Sequence, residues 1–184
     1  MHIIQYFNNN NNKLDLQIAH LDEMLFKPSG IHLSQLEAEP ESKEYCAHNF
    51  KLGTILVKFR MAKITPTKIG QFVTIWKRNK NGLTEPLNME DSFDLLIIAV
   101  RNNNNFGIFI FPKTVLAKHK IVSVNSVGGK RGIRVYPSWD FTTNKQAQQT
   151  QIWQTQYFVD LTHFTDIDKT KAIDLIEKTF KIQT

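Results

Sequence analysis

The spacing of hydrophobic positions changes along this 184-residue chain, and the change marks its elements. Leu14, Ile18, Leu21 and Leu25 recur at helical spacing while Gln17, Asp22 and Glu23 face elsewhere, which predicts a helix over 14–26. Pro28, Ser29 and Gly30 stop it. Ser34 and Glu37 have the spacing of a capping box, for a short helical turn ended by Pro40. From Ile55 the period falls to two. Ile55, Val57, Phe59 and Met61 alternate with Leu56, Lys58, Arg60 and Ala62, predicting a strand with one buried and one partly basic face. Residues 71–78 predict a second strand after a turn between Pro66 and Gly70, with Phe72, Thr74 and Trp76 on one face and Val73 and Ile75 on the other.

Residues 93–100 are almost continuously apolar, as in a central strand buried on both faces. An asparagine run at 102–105 turns the chain into 107–111, completing a hairpin; the earlier run, Asn8 to Asn12, also marks a loop. Pro112 suits the first turn of a short helix through Leu116. Ile133 to Tyr136 is a short strand closed by Pro137. Residues 143–157 predict a helix with Ala147, Thr150, Gln154 and Tyr157 on one stripe and Trp153 beside it. Asp168 caps a last helix that turns Ala172, Leu175, Ile176 and Phe180 inward. Strands in the middle with helices at both ends give one mixed α/β (α+β) domain over 1–184.

Composition narrows the class. Hydrophobic residues make up 41% of the chain and there are 13 Phe, which points to a globular domain. The single cysteine, Cys46, excludes an internal disulfide and a multi-cysteine metal site. No secretory signal pattern opens the sequence and no apolar run reaches about 18 residues, so a cytoplasmic protein without a membrane span is expected.

Charge changes the picture more. Residues 1–50 carry a net charge of −4, residues 51–139 a net +11, and residues 140–184 a net −1. No acid occurs from Asn49 to Thr84, or from Leu95 to Trp139. Aromatics are interleaved with the cations, a composition that suits a polyanion with exposed bases. Arg60, Lys63 and Lys68 surround a Thr-Pro-Thr turn and could hold phosphate oxygens. Lys77 and Arg78 follow Trp76, which is read as core, with a stacking platform as the alternative. The run from Gly128 to Trp139 is the strongest local signal. Its three glycines permit close backbone approach, Lys130, Arg131 and Arg134 supply charge, and Tyr136 and Trp139 offer stacking faces. It lacks the spacing of a Walker loop. The glutamines of 143–157 can read base edges, or simply face water.

A metal-dependent nuclease needs convergent carboxylates and usually a lysine. Asp94 followed by Lys113 has that chain order, and Glu44 could join them from a distance. Phe111 stands where the second acid would be expected. His2, His20, His32, His48, His119 and His163 show no metal-ligand spacing.

The run from Phe59 to Arg78 resembles the MepB-like family. So do the segments from Phe109 to Lys113, from Gly129 to Trp139 and from Lys145 to Trp153, collinear over about residues 42–160. In some bacteria such proteins are encoded beside a MATE-type multidrug efflux pump and its MarR-type repressor. The resemblance implies a restriction-endonuclease-like core, a central mixed sheet flanked by helices, and with it nucleic-acid binding but not necessarily cleavage. The first expectation is thus a non-catalytic protein that holds DNA or RNA on a basic face. Arg60, Lys63, Lys68, Lys77, Arg78, Lys130, Arg131 and Arg134 would contact phosphate, and Tyr136 and Trp139 would stack. A Mg²⁺-dependent nuclease using Glu44, Asp94 and Lys113 is the alternative, and the only one that calls for a cofactor. An accessory protein for an anionic small molecule or a protein partner is the third. Oligomeric state is open.

Overall fold

The computed structural model describes residues 15–180, apart from the side chains of Asp15 and Phe180. The expectations for Asn8 to Asn12, Leu14 and the Phe180 side chain lie outside the described residues.

The predicted apolar run becomes the centre of a six-stranded sheet. β8 (Leu95–Arg101) is buried on both faces, and β9 (Phe106–Pro112) returns antiparallel to it across the Asn102–Asn105 turn. On its other side β8 pairs in parallel with β3 (Ile55–Met61), Phe59 opposite Ile97. β2 (His48–Leu52), β1 (Leu33–Ala38) and β13 (Phe158–Asp160) complete the order β1-β2-β3-β8-β9-β13. All pairs except β3–β8 are antiparallel, so the sheet is mixed.

β1 replaces the expected helical turn. Ser34 and Glu37 do not cap a helix; they pair with Lys51 and Asn49, with a bulge between them where Gln35 has φ 53°. Backbone bonds to β2 satisfy the groups that a cap would serve, so long-range pairing overrides the local pattern.

One face of the sheet is covered by helices. Ile18 and Leu21 of α1 (Asp15–Leu21), Leu25 and Phe26 of the turns that follow, and Ala172, Leu175 and Ile176 of α4 (Asp166–Phe180) pack on Val57, Phe59, Ile97 and Ile110. Gly30, at φ 71°, ends the first helical segment as expected. The N-cap of α4 is Thr165, not Asp168. The Thr165 hydroxyl accepts the Asp168 N–H at 3.3 Å while the Asp168 carboxylate accepts the Thr165 N–H at 3.1 Å, a reciprocal capping box.

The opposite face carries a second, smaller sheet inserted between β3 and β8 and completed later in the chain. Its order is β12-β5-β4, with β12 (Gly132–Val135), β5 (Lys68–Thr74) and β4 (Lys63–Thr65). Val73, Ile75, Ile133 and Val135 point into a second core with Leu96, Ile98 and Phe111. The strand expected over 71–78 breaks at Ile75, whose side chain is fully buried and whose N–H bonds to the Arg131 carbonyl at 2.9 Å. Beyond it β6 (Trp76–Arg78) pairs with β7 (Thr84–Pro86). Trp76 lies outside both cores, half-buried with the Arg78 guanidinium 5.3 Å from its ring centre. β10 (Ser123–Val124) and β11 (Val127–Gly128) form a short hairpin ahead of β12. α2 (Lys113–Lys118) follows Pro112, and α3 (Lys145–Gln154) packs along the edge of β12. Among the described residues no helix is long and apolar enough to cross a membrane.

Candidate functional site

A cleft of about 770 Å³ opens between the small sheet and α3. Two basic segments that are far apart in sequence meet there because β5 and β12 are antiparallel neighbours, Phe72 opposite Arg134. Lys68, Lys130 and Arg134 line it together with Tyr136. α3 contributes Asn144, Gln146, Thr150, Trp153 and Gln154, and α2 delivers His119 at its C-terminal end.

The glutamines of α3 have separate tasks. Gln154 is buried and docks the helix against the edge of β12: its Oε1 accepts the Tyr136 N–H at 2.9 Å and its Nε2 donates to the Arg134 carbonyl at 3.0 Å. A side-chain amide thus satisfies an edge strand that lacks a neighbour. Gln151 donates to the Pro137 and Asp140 carbonyls, both at 2.8 Å, fixing the loop before the helix. Gln146 is exposed in the cleft. Asn144 caps α3 by accepting the Ala147 N–H at 2.8 Å.

Aromatic rings run from the core to this cleft in one series. Phe158 lies 4.7 Å from Phe109, Phe109 stacks on Phe111 at 5.4 Å, and Phe111 lies 5.4 Å from Trp153. Trp153 then stacks on His119 at 3.8 Å with 12° between planes. Burial, and after it the charge of Lys118, hold the His119 imidazole below its ordinary range, which favours the neutral ring.

The cations expected on phosphate divide into groups. Arg60 is the clear correction: it is fully buried and ion-paired to Glu39, with its Nη1 on the Phe59 carbonyl at 2.8 Å. Alternation placed it on the outer face of β3, but that face is covered. Lys63 pairs with Glu44 at 2.8 Å and lies over the Tyr45 ring. Lys77 pairs with Asp91 and with Glu85, and Arg78 bonds to Glu41 at 2.9 Å. None of these three lines the cleft. Arg131 is exposed but donates Nε and Nη2 to the Thr84 carbonyl.

Arg134 does line the cleft. It also clamps the β4–β5 turn, donating to the Gly70 carbonyl at 2.9 Å and to the Thr65 hydroxyl at 2.6 Å. Lys68 and Lys130 are exposed, and among the described residues their ammonium groups have no ion-pair or hydrogen-bond partner. Of the two stacking candidates, Tyr136 lines the cleft, with its ring edge against Gly70. Trp139 does not: its ring packs edge-on to Phe158 at 5.2 Å, and its buried indole N–H has no partner among the described residues. Sequence reasoning missed His119, Asn144 and Thr150, whose role depends on where α2 and α3 dock.

The nuclease triad is not assembled as a metal site. Asp94 accepts the Leu56 N–H at 2.8 Å, tying β3 to the start of β8. Lys113 donates to the Met89 and Asp91 carbonyls and sits over the Phe93 ring, and burial lowers its pKa against the opposing charges of Asp94, Asp91 and Glu90. Glu44 is on the surface with Lys63. Phe111 is wholly buried and supports Trp153. No group of three or more His, Cys, Asp or Glu that could hold a metal occurs among the described residues.

The MepB-like family model matches residues 39–160, well over half of the chain. The crystal structure of MepB is similar with a TM-score of 0.70 at 32% identity, covering 82% of this chain and 98% of that one. No curated protein matches. The central mixed sheet flanked by helices is accordingly the MepB, restriction-endonuclease-like fold. By sequence over its middle two-thirds and by fold over most of its length, the chain belongs to the MepB-like family.

Proposed function

We propose that the cleft binds nucleic acid and that the protein acts by binding, without cleaving. One observation carries the reading: Lys68, Lys130 and Arg134 share an open cleft with Tyr136 and the stacked His119–Trp153 pair. The cations suit backbone phosphates and the rings suit base faces. No catalytic step is assigned, because Asp94 and Lys113 are engaged with the backbone around the β3–β8 junction. A cytoplasmic location, and the association with a MATE-type efflux pump that the family resemblance implies, belong to the same proposal.

The test is a titration of a fluorescently labelled oligonucleotide at salt concentrations from about 50 to about 200 mM, the range over which counterion release is pronounced. Affinity falling log-linearly with salt supports the reading. Absence of binding, or binding indifferent to salt, contradicts it, and the second result favours an anionic small molecule.

A further inference from the structure

We propose that the occupant of the cleft is an unpaired base of a single strand, stacked on the His119–Trp153 pair and continuing the aromatic series that begins at Phe158. The inference rests on the nucleic-acid reading above and narrows it to single strands.

Three observations carry it. First, the ring series is anchored. Phe109 and Phe111 are fully buried in the central sheet, and Trp153 packs against that core. The ring at the cleft end is therefore held in place before any ligand arrives, so little ordering cost attends stacking. Second, the groups around the ring pair are those that recognise an unstacked base. The Thr150 hydroxyl, which donates to the Gln146 carbonyl at 2.8 Å and keeps its lone pairs to accept, and the Gln146 side-chain amide, which can both donate and accept, line the same cleft and suit a base edge. Third, the unpartnered cations Lys68 and Lys130 line the same cleft, Lys68 from β5 and Lys130 from the β11–β12 connection, where its backbone N–H donates to the Ile121 carbonyl at 2.9 Å. A base against the rings and amides, with its phosphate on the two lysines, fits this lining. In a duplex the base faces are already stacked on one another and are not free to stack on a protein ring.

The experiment compares single strands of about 12 nucleotides, within known single-strand site sizes, with duplexes of the same sequence, in separate DNA and RNA arms. Either single strand binding at least about tenfold tighter than its duplex supports the inference. Duplex binding as tight as or tighter than both single strands overturns it while leaving the nucleic-acid reading intact, and absence of all binding removes both. His119→Ala is expected to weaken single-strand binding about tenfold, as removal of one stacking face does, and to weaken duplex binding by less. His119→Phe keeps the face and is expected to retain single-strand affinity. Equal losses in both variants overturn the stacking role.

Discussion

Arg60 and Glu39 meet in the protein interior across a separation of 21 residues, with Lys58 on the other oxygen of the same carboxylate. Burial works to raise the Glu39 pKa, but the charges of Arg60 and Lys58 and their hydrogen bonds outweigh it, so the carboxyl is held below its ordinary value of 4.5. A depressed carboxyl contributes stability that is fully present above the unfolded pKa and is lost as pH falls through the folded one. Denaturant unfolding should therefore show stability falling below about pH 4.5, with a smaller fall in Glu39→Gln. At neutral pH that variant leaves a buried guanidinium uncompensated and should lose about 3 kcal/mol. A loss near zero would mean that Arg60 finds compensation elsewhere.

Gly70 and Tyr136 set the shape of the cleft wall. Gly70 has φ 81°, and a Cβ placed there would lie 2.6 Å from the Tyr136 ring. Gly70→Ala should cost about 2 kcal/mol through backbone strain and crowding together. It should also weaken oligonucleotide binding, because the ring must move. A variant with native stability would show that the wall yields freely.

The two lysines and the arginine of the cleft should behave differently. Lys68→Ala and Lys130→Ala remove cations with no partner among the described residues, so each should lower the slope of log affinity against log salt by about one and leave the melting temperature unchanged. Arg134→Ala should instead lower stability, since its guanidinium holds the Gly70 carbonyl and the Thr65 hydroxyl. Stability losses in both lysine variants, with none in Arg134→Ala, would reverse these roles.

Asp94 is a structural acceptor in this chain. Asp94→Ala leaves the Leu56 N–H without its acceptor and should cost about 1–2 kcal/mol in thermal unfolding, with oligonucleotide affinity unchanged. Magnesium-dependent degradation of DNA or RNA that disappears in this variant would contradict the assignment.

Three of the six strands of the central sheet, β3, β8 and β9, could be read from period alone, because they bury whole faces and their apolar runs leave little choice, whereas β1, β2 and β13 could not. What failed depended on partners distant in sequence. Ser34 and Glu37 match a cap locally, yet β2 takes their backbone bonds. Arg60 occupies a strand position that alternation assigns outward, and only the placement of Glu39 reveals that it is inside. In the cleft, Lys68, Lys130, Arg134 and Tyr136 could be picked out as charge and ring. His119 could not, because its significance arises from stacking on a residue of another helix. Phe111 was legible as a missing acid. That it supports Trp153 required the fold.

Photocrosslinking of a bromouracil-substituted single strand, followed by peptide mapping, tests the cleft most directly. Attachment should fall on His119, Tyr136 or Trp153, the rings that line it. Attachment confined to Tyr45 or Trp76, the rings beneath Lys63 and Arg78, would contradict the cleft and move the binding surface elsewhere on the molecule.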